Sequence, residues 1–283
     1  MVLGAGLGTR LRPFTDRLPK PLFPVLGVPC VEFALRSLDA AGIRDVVVNV
    51  HAHADQLEFW LRSNVPSSMR LAISDERKLL LGSAGGFRQA LERIPGDRFF
   101  SMNADVIHFT SLETLAAAHL KAYQKHGVWM TLVLNRGRAL EGVDGAYREI
   151  LVDEASGLIT GFGEKKSGVP FYSGTGAFEK TAFSKLESGI PAEFVPDVLE
   201  PAIRLGKVAF VYAEDLWVDI GSPELWIQAQ DHLRQALRSG RVPGFLRARL
   251  ESSDPTCGGR FDLGKNRIRM DDIEYEIAGV RGS

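Results

Sequence analysis

The segment GAGLGTRLRPFTDRLPKPL, from Gly4 to Leu22, sets glycines at positions 4, 6 and 8 and follows them with Thr9, Arg10, Arg12 and Lys20. Glycine lets backbone N–H groups approach a ligand that a Cβ would hold off, and successive N–H groups make an anion-binding concavity. Gly6 and Gly8 are therefore expected to let the backbone cradle phosphate. Arg10 can fork onto phosphate oxygens, its alternative being a surface salt bridge. Lys20 stands between Pro19 and Pro21, which pins its ammonium on a stiff segment. Two other phosphate motifs fit poorly. The dinucleotide fingerprint G-x-G-x-x-G/A would need Gly or Ala where Thr9 stands, and an acidic residue where Asn49 and His51 stand. GRFDLGKN, at Gly259–Asn266, comes close to a P-loop, but Asn266 replaces the hydroxyl that would hold magnesium.

A carboxylate at the end of a buried strand is a second signal. RFFSMNAD reads as a strand running out at Asn103–Asp105. A hard carboxylate there suits Mg2+, which prefers oxygen ligands and keeps several waters. The alternative for Asp105 alone is a turn or helix cap, and for Asp219, in WVDIG, an Asx turn before Gly221. His51 and His53 have H-x-H spacing, but nothing nearby supplies a cysteine or a third histidine. Loop or packing roles are expected for both, and for His108. Trp217, Trp226, Phe99 and Phe100 read as core.

The 283 residues carry 34 Lys and Arg against 35 Asp and Glu, a net charge of -1, so a general nucleic-acid binder is not expected and any anion site is local. A hydrophobic content of 45% allows a sizeable core. The two cysteines, Cys30 and Cys257, form neither a disulfide framework nor a C-x-x-C zinc site. No apolar run has the length of a membrane span, and no basic-then-apolar leader opens the chain. A cytoplasmic protein with no membrane partner is expected.

These side chains need a scaffold that gathers them. The first half alternates helix-like and strand-like segments: a helix over Val31–Gly42, a strand over Val46–Val50, a helix over Asp55–Arg62 and a strand over Arg70–Ser74. A helix over Gly85–Arg93, the strand ending at Asp105, a helix over Leu112–His126 and the strand VWMTLVL follow. This order predicts an α/β fold: a Rossmann-like, doubly wound, mostly parallel sheet with helices on both faces. Ligands of such sheets sit beyond the carboxyl ends of the strands, and GAGLGTR, NVHAH, SDERKLLLGSAGG and NAD all fall at that edge. From about Asn135 the texture changes to a hairpin turning near Ala155–Gly157, a Gly-rich strand YSGTGAF, a helix over Pro196–Leu205 and two short strands in KVAFVYAEDLWVDIG. A long helix over Pro223–Arg238 follows, with Ser222 as its N-cap. From Arg241 onward little periodicity remains, and a small C-terminal extension with a strand near IEYEIAGV is expected.

The opening stretch, with its several fixed non-glycine positions, resembles the signature loop of the sugar-1-phosphate nucleotidyltransferases, the NDP-sugar pyrophosphorylases. LLGSAGGF resembles that family's base-recognition loop, and NAD stands where the family usually has Asn-Gly-Asp. GFGEK resembles its sugar-phosphate signature, and WVDIGSPELW its late Asp-Ile-Gly segment. The likeness runs over about Met1–Leu237 and leaves the tail uncovered. Family members usually carry more residues before the first glycine, so the first strand here is either unusually short or continues upstream.

The resemblance implies a nucleotide-diphospho-sugar transferase-like fold and a soluble enzyme joining an NTP to a sugar 1-phosphate with release of pyrophosphate. N-acetylmuramate-1-phosphate uridylyltransferases and mannose-1-phosphate guanylyltransferases are about equally similar. It implies that Arg10 and Lys20 are catalytic, with Lys20 at the α-phosphate, and that Asp105 and Asp219 together hold Mg2+. Gly4, Ala5, Gly6, Gly8, Thr9, Ser83, Gly85, Gly86 and Asn103 would bind nucleotide, the base lying against Gly85 and Gly86. Glu164 and Lys165 would contact the sugar phosphate, with Gly174 and Thr175 lining the sugar pocket. Residues 1–135 would form a nucleotide-binding half, 136–240 a sugar-binding half, and 241–283 an extension that is a candidate for homo-oligomer contacts. A non-catalytic binding module and a sugar kinase remain as rival readings.

Overall fold

The computed structural model describes residues 1–136, 147–166, 169–213 and 216–252 and the backbone of three strands in the tail; the side chains of Lys165 and Lys166 lie outside that description. The chain opens with β1 (Val2–Leu3), the small hairpin β2 (Pro24–Val25) and β3 (Val28–Pro29), α1 (Cys30–Ala40), β4 (Asp45–Val50), α2 (Ala54–Asn64) and β5 (Arg70–Asp75). It continues through α3 (Gly82–Ala90), β6 (Arg98–Asn103), β7 (Val106–His108), α4 (Leu112–His126) and β8 (Met130–Asn135). The second half holds β9 (Arg148–Asp153), β10 (Leu158–Lys166), β11 (Phe171–Glu179), α5 (Glu200–Arg204), β12 (Val208–Ala213), β13 (Trp217–Asp219), α6 (Pro223–Arg238) and α7 (Gly244–Ser252). The tail strands are β14 (Arg260–Asp262), β15 (Arg267–Met270) and β16 (Ile273–Glu276), which form their own antiparallel sheet.

Nine strands form the central sheet in the order β5-β4-β1-β6-β11-β8-β12-β10-β9. The ladders give seven of them one direction, and only β10 and β11 run the other way. The sheet is thus mixed and mostly parallel. β4 and β8 are buried on both faces, which explains why they read as continuous apolar runs rather than alternating ones, while the edge strands β5 and β9 are partly exposed. One face packs under α1, α2 and α4 through Val31, Leu35, Leu57 and Leu115. The other packs under α3 and α5 through Phe87 and Ala202.

A third core binds the carboxyl end of the sheet. Trp226 of α6 lies against Phe14 and Phe23, with Ile107 of β7 and Val218 of β13 in the same cluster. Its indole N–H donates to the Pro24 carbonyl at 2.7 Å. Gln230 donates to the same carbonyl at 3.0 Å and accepts from the Leu26 N–H at 2.8 Å. One helix late in the chain thereby fixes the segment that carries Lys20.

Helices α4 and α6 have the bounds their sequences predict. Ser111 accepts from the Thr114 N–H and Gly127 closes α4 in the left-handed region, while Ser222 accepts from the Leu225 N–H. The structure departs from expectation in three places. Helix α3 begins at Gly82 rather than Gly85, with a 3-10 turn over Leu91–Arg93. The segment expected as one helix over Pro196–Leu205 opens as a wider π-type turn, Val195–Leu199, before α5. The chain also stays in the packed body past Arg241: α7 buries Leu246 and Leu250, and its Arg249 pairs with Glu32 of α1 at 2.8 Å.

Trp226→Ala removes the centre of the third core and a buried hydrogen bond, and is expected to cost about 3–5 kcal/mol of stability, measured by urea unfolding. A loss under about 1 kcal/mol would mean that the segment carrying Lys20 is held by other contacts.

Candidate active site

Two cavities lie at opposite ends of the strands. One of about 500 Å3, lined mostly by apolar side chains, sits beside Met1, Val47 and Phe99 at the amino-terminal end. The other, about 270 Å3, collects Gly4, Ala5, Gly6, Lys20, Ser83, Asn103 and Asp105 at the carboxyl ends of β1 and β6. The smaller cavity is the candidate site, because the glycine loop, a buried lysine and a carboxylate converge on it.

The glycine loop is fixed from behind and open in front. The Gly4 N–H donates to Asn49 Oδ1 at 2.8 Å. A Cβ on Gly4 would come within 2.9 Å of the Asn49 carbonyl, whereas one on Gly6 would meet nothing within 4 Å. Gly8 has φ +63° and would strike Thr15 Cγ2 at 2.8 Å. Thr15 donates its hydroxyl to the Gly8 carbonyl at 2.9 Å, and its own carbonyl is 2.9 Å from His53 Nε2. His53 therefore braces the loop, and His51 Nδ1 lies 2.7 Å from the Glu76 carbonyl. Thr9 and Arg10 stand exposed at the loop's outer end.

Lys20 is the charged centre of the cleft. It is 8% exposed, and its Nζ donates to Asp105 Oδ2 at 2.5 Å and lies 3.7 Å from Asp219 Oδ1. Burial pulls the ammonium toward the neutral form, but the two carboxylates outweigh it and hold its pKa above the ordinary lysine value. The aspartates come from segments far apart in sequence. Asp105 lies in the turn between β6 and β7, and the antiparallel pair β7–β13 sets Asp219 opposite Val106. Burial raises the Asp219 pKa, and Lys20 works against that shift. Asp219 Oδ2 accepts from the Tyr147 hydroxyl at 2.5 Å, while Oδ1 has no hydrogen-bond partner among the described residues. Tyr147, its own pKa raised well above the usual phenol by burial, stacks on Phe171 and meets Trp217 edge-on. A Cβ on Gly221 would fall 2.8 Å from Asp219 Oδ2 and 2.9 Å from Arg10 Nη2, which brings Arg10 to the same cluster.

The donor set suits a divalent cation of the magnesium kind. It offers two hard carboxylates, one with a buried oxygen lacking a hydrogen bond. No group of three or more His, Cys, Asp and Glu side chains among the described residues is placed to hold a metal ion by itself. Such an ion would complete its shell with water and phosphate oxygens, as magnesium commonly does.

Other residues expected at the site stand further off. Gly85 and Gly86 lie buried inside α3 and do not line the cleft cavity. Their bare α-carbons serve packing: a Cβ on Gly85 would strike the Ile190 carbonyl at 2.7 Å, and one on Gly86 would strike Glu76 Oε1 at 2.8 Å. Ser83 lines the cleft but also accepts from the Phe194 N–H at 2.9 Å. Thr175 is 1% exposed and bonds His108 Nε2 at 2.5 Å, in the interior rather than on a pocket wall. Gly174, φ +88°, makes room for Asn103, whose Nδ2 a Cβ there would meet at 2.8 Å. Glu164 is exposed on β10, and the Lys165 side chain lies outside the described residues. The end of β10 does approach the cluster, since Lys166 pairs with Arg148, the neighbour of Tyr147.

The sequence reading passed over Asn49, Glu76, Tyr147 and Gly221 as site residues. Asn49 alone left a signal, as a polar residue inside the apolar run VVVNV.

The sequence profile of the nucleotidyl transferase family matches residues 1–236. A UTP–glucose-1-phosphate uridylyltransferase from Synechocystis is 27% identical over 87% of this chain, which spans 66% of that relative's length. An N-acetylmuramate alpha-1-phosphate uridylyltransferase from Neisseria meningitidis is 32% identical over 78% of this chain and 92% of its own. The solved structure of HddC from Yersinia pseudotuberculosis has the same fold, with a TM-score of 0.67 at 20% identity, covering 82% of this chain and 97% of that one. No helix among the described residues is long and apolar enough to cross a membrane.

Gly221→Ala should crowd Asp219 and Arg10 together and lower turnover by about 10-fold or more, the scale of a small misplacement of reacting groups, with little change in Tm. Unchanged turnover would separate Arg10 from the chemistry. Burial lowers the His108 pKa to about 4, so this residue stays neutral in the fold while the unfolded chain takes up a proton near pH 6.5. Its contribution to stability is whole above pH 6.5 and is lost as the pH falls toward 4, by up to about 3 kcal/mol. His108→Gln should flatten stability across that window, and an unaltered pH dependence would show that the ring titrates normally.

Proposed function

The chain belongs to the nucleotidyl transferase family, and we propose that the cleft around Lys20 is where it transfers a nucleoside monophosphate from an NTP to a sugar 1-phosphate. The observation that carries this reading is a buried ammonium between two carboxylates, Asp105 and Asp219, at the mouth of a glycine loop. An oxygen of the sugar phosphate attacks the α-phosphorus, a new P–O bond forms, the bond to the β-phosphate oxygen breaks, and pyrophosphate leaves in line. The nucleophile is already an anion, so no general base is required. The task is to hold two polyanions together and offset their charge.

In this reading residues 1–135 carry the nucleotide and 136–240 the sugar phosphate. The backbone of Gly4–Thr9 receives the triphosphate, and Gly6 leaves the approach clear. Arg10 meets the departing phosphates, and Lys20 stabilises charge at the α-phosphate. Asp105 and Asp219 would hold a divalent cation, magnesium by our assignment, which supplies further neutralisation of phosphate charge when bound. Tyr147 orients Asp219 through its 2.5 Å hydrogen bond. Ser83 and Asn103 border the nucleotide, and Glu164 and Lys165, near the end of β10, contact the sugar phosphate. Uridylyl transfer is preferred over guanylyl transfer, on the strength of the uridylyltransferase that this chain matches over 92% of its length.

Pyrophosphate release tests this directly, with UTP, GTP, dTTP, CTP and ATP each offered beside a panel of sugar 1-phosphates. UTP is expected to give the fastest release, and a clear preference for GTP would overturn the uridylyl assignment. Lys20→Ala should lower kcat by roughly 10²–10³, the scale of losing one transition-state charge stabiliser. A variant that is less stable yet turns over normally when folded would make Lys20 structural.

A further inference from the structure

Glu76 lies outside the catalytic cluster, yet it ties together three of the crossover loops. It is 2% exposed. Its Oε1 accepts from Asn49 Nδ2 at 2.7 Å, and its Oε2 accepts from the Leu81 N–H at 3.0 Å. Asn49 uses its other end to accept from the Gly4 N–H at 2.8 Å. The backbone of Glu76 is occupied as well, its N–H donating to the Val50 carbonyl at 2.9 Å and its carbonyl meeting His51. A chain of polar contacts thus runs from the first residue of the glycine loop to the residue that enters α3. Gly4 and Asn49 of this chain of contacts border the cleft, and so does Ser83, two residues past its Leu81 end.

The residue types follow from the pattern of donors. Both partners of the Glu76 carboxyl are N–H groups, so both of its oxygens must accept, which a carboxylate does and an amide does not. Asn49 must accept at one end and donate at the other, which an amide does and a carboxylate does not. Burying a carboxylate without a cation is costly, and burial raises the Glu76 pKa against the pull of these same hydrogen bonds. Gly86 is bare for the same reason, since a Cβ there would fall 2.8 Å from Glu76 Oε1 and 2.9 Å from Asn49 Nδ2. A buried polar network kept at that cost, one bond away from the proposed phosphate cradle, points to positioning.

We propose that Glu76, acting through Asn49, is a positioning residue for the nucleotide: it locks the Gly4–Gly8 loop to the start of α3 and so presets the two walls of the nucleotide cleft. This rests on the reading that the cleft binds an NTP. The lock acts before chemistry, so its loss appears in nucleotide affinity rather than in turnover or in the affinity for sugar 1-phosphate.

The donor pattern supplies its own test. Glu76→Gln alone sets an N–H group against an N–H group, and Asn49→Asp alone sets oxygen against oxygen. Made together, the two changes reverse the amide and the carboxylate and restore every donor–acceptor pair. Two readouts are used on the full chain: calorimetric titration with Mg·UTP and with Mg·GTP, and hydrogen exchange of the Gly4–Gly8 amides in the free protein. Each single variant is expected to weaken binding of whichever nucleotide the wild type takes by about 10-fold and to speed loop exchange. The double variant should recover to within about 3-fold in affinity and to near wild-type exchange. In the steady state the KM for NTP should rise, while kcat and the KM for sugar 1-phosphate stay within about two-fold. Single variants with a lower Tm but unchanged loop exchange and nucleotide affinity would reduce Glu76 to a strut of the fold. A double variant no better than either single would overturn the pairing. The exchange arm needs no nucleotide, so it judges the lock even if the wild type binds neither UTP nor GTP, an outcome that would count against the nucleotide reading instead.

Discussion

The architecture at the carboxyl end of the sheet turns on one contact, the Lys20 ammonium held between Asp105 and Asp219. Two carboxylates brought together in a largely buried place repel each other, and burial adds to the cost. The ammonium offsets both and remains charged because they surround it. The same charge balance suits a phosphate-transfer site. Entering phosphates can engage the cation, and a divalent ion can engage the carboxylates, without either charge being stranded.

Holding that contact takes segments from across the chain. The β7–β13 ladder brings residues 105 and 219 side by side, and α6 grips the Pro24 carbonyl so that the proline-flanked Lys20 segment cannot drift. Tyr147 fixes one oxygen of Asp219 and leaves the other without a hydrogen bond among the described residues. Behind the glycine loop, Asn49, Thr15 and His53 take up the polar groups that face the interior. The loop is therefore rigid on its inner side and open at Gly6, a shape that favours binding without reorganisation.

Much of this was legible in the sequence where a local rule decides the outcome. Helices α4 and α6 carry their own caps, and β4 and β8 advertise their burial by unbroken apolar runs. The glycine loop, Lys20 and the two aspartates that gather at the cleft were visible as types in context. What escaped was set by partners distant in the chain. Helix α3 starts three residues early because the Ala84 and Gly85 N–H groups donate to the Ala192 carbonyl, which no local signal announces. Gly85 and Gly86 look like ligand-facing glycines and instead make space for protein. Glu76 sits in a run of charged residues that reads as surface, and only the tertiary fold buries it. Helix α7 has too little periodicity to predict, and it forms because α1 and the Trp226 core receive it.

The most direct test of the central claim is manganese binding, followed by electron paramagnetic resonance with a non-hydrolysable UTP analogue present. If Asp105 and Asp219 form the metal-holding pair, the wild type binds one Mn2+ per chain with the analogue. Asp219→Asn then abolishes that binding while the protein stays folded, and Glu164→Gln leaves it intact. The same stoichiometry and affinity in Asp219→Asn and in Asp105→Asn would contradict the account and move the reaction centre away from Lys20.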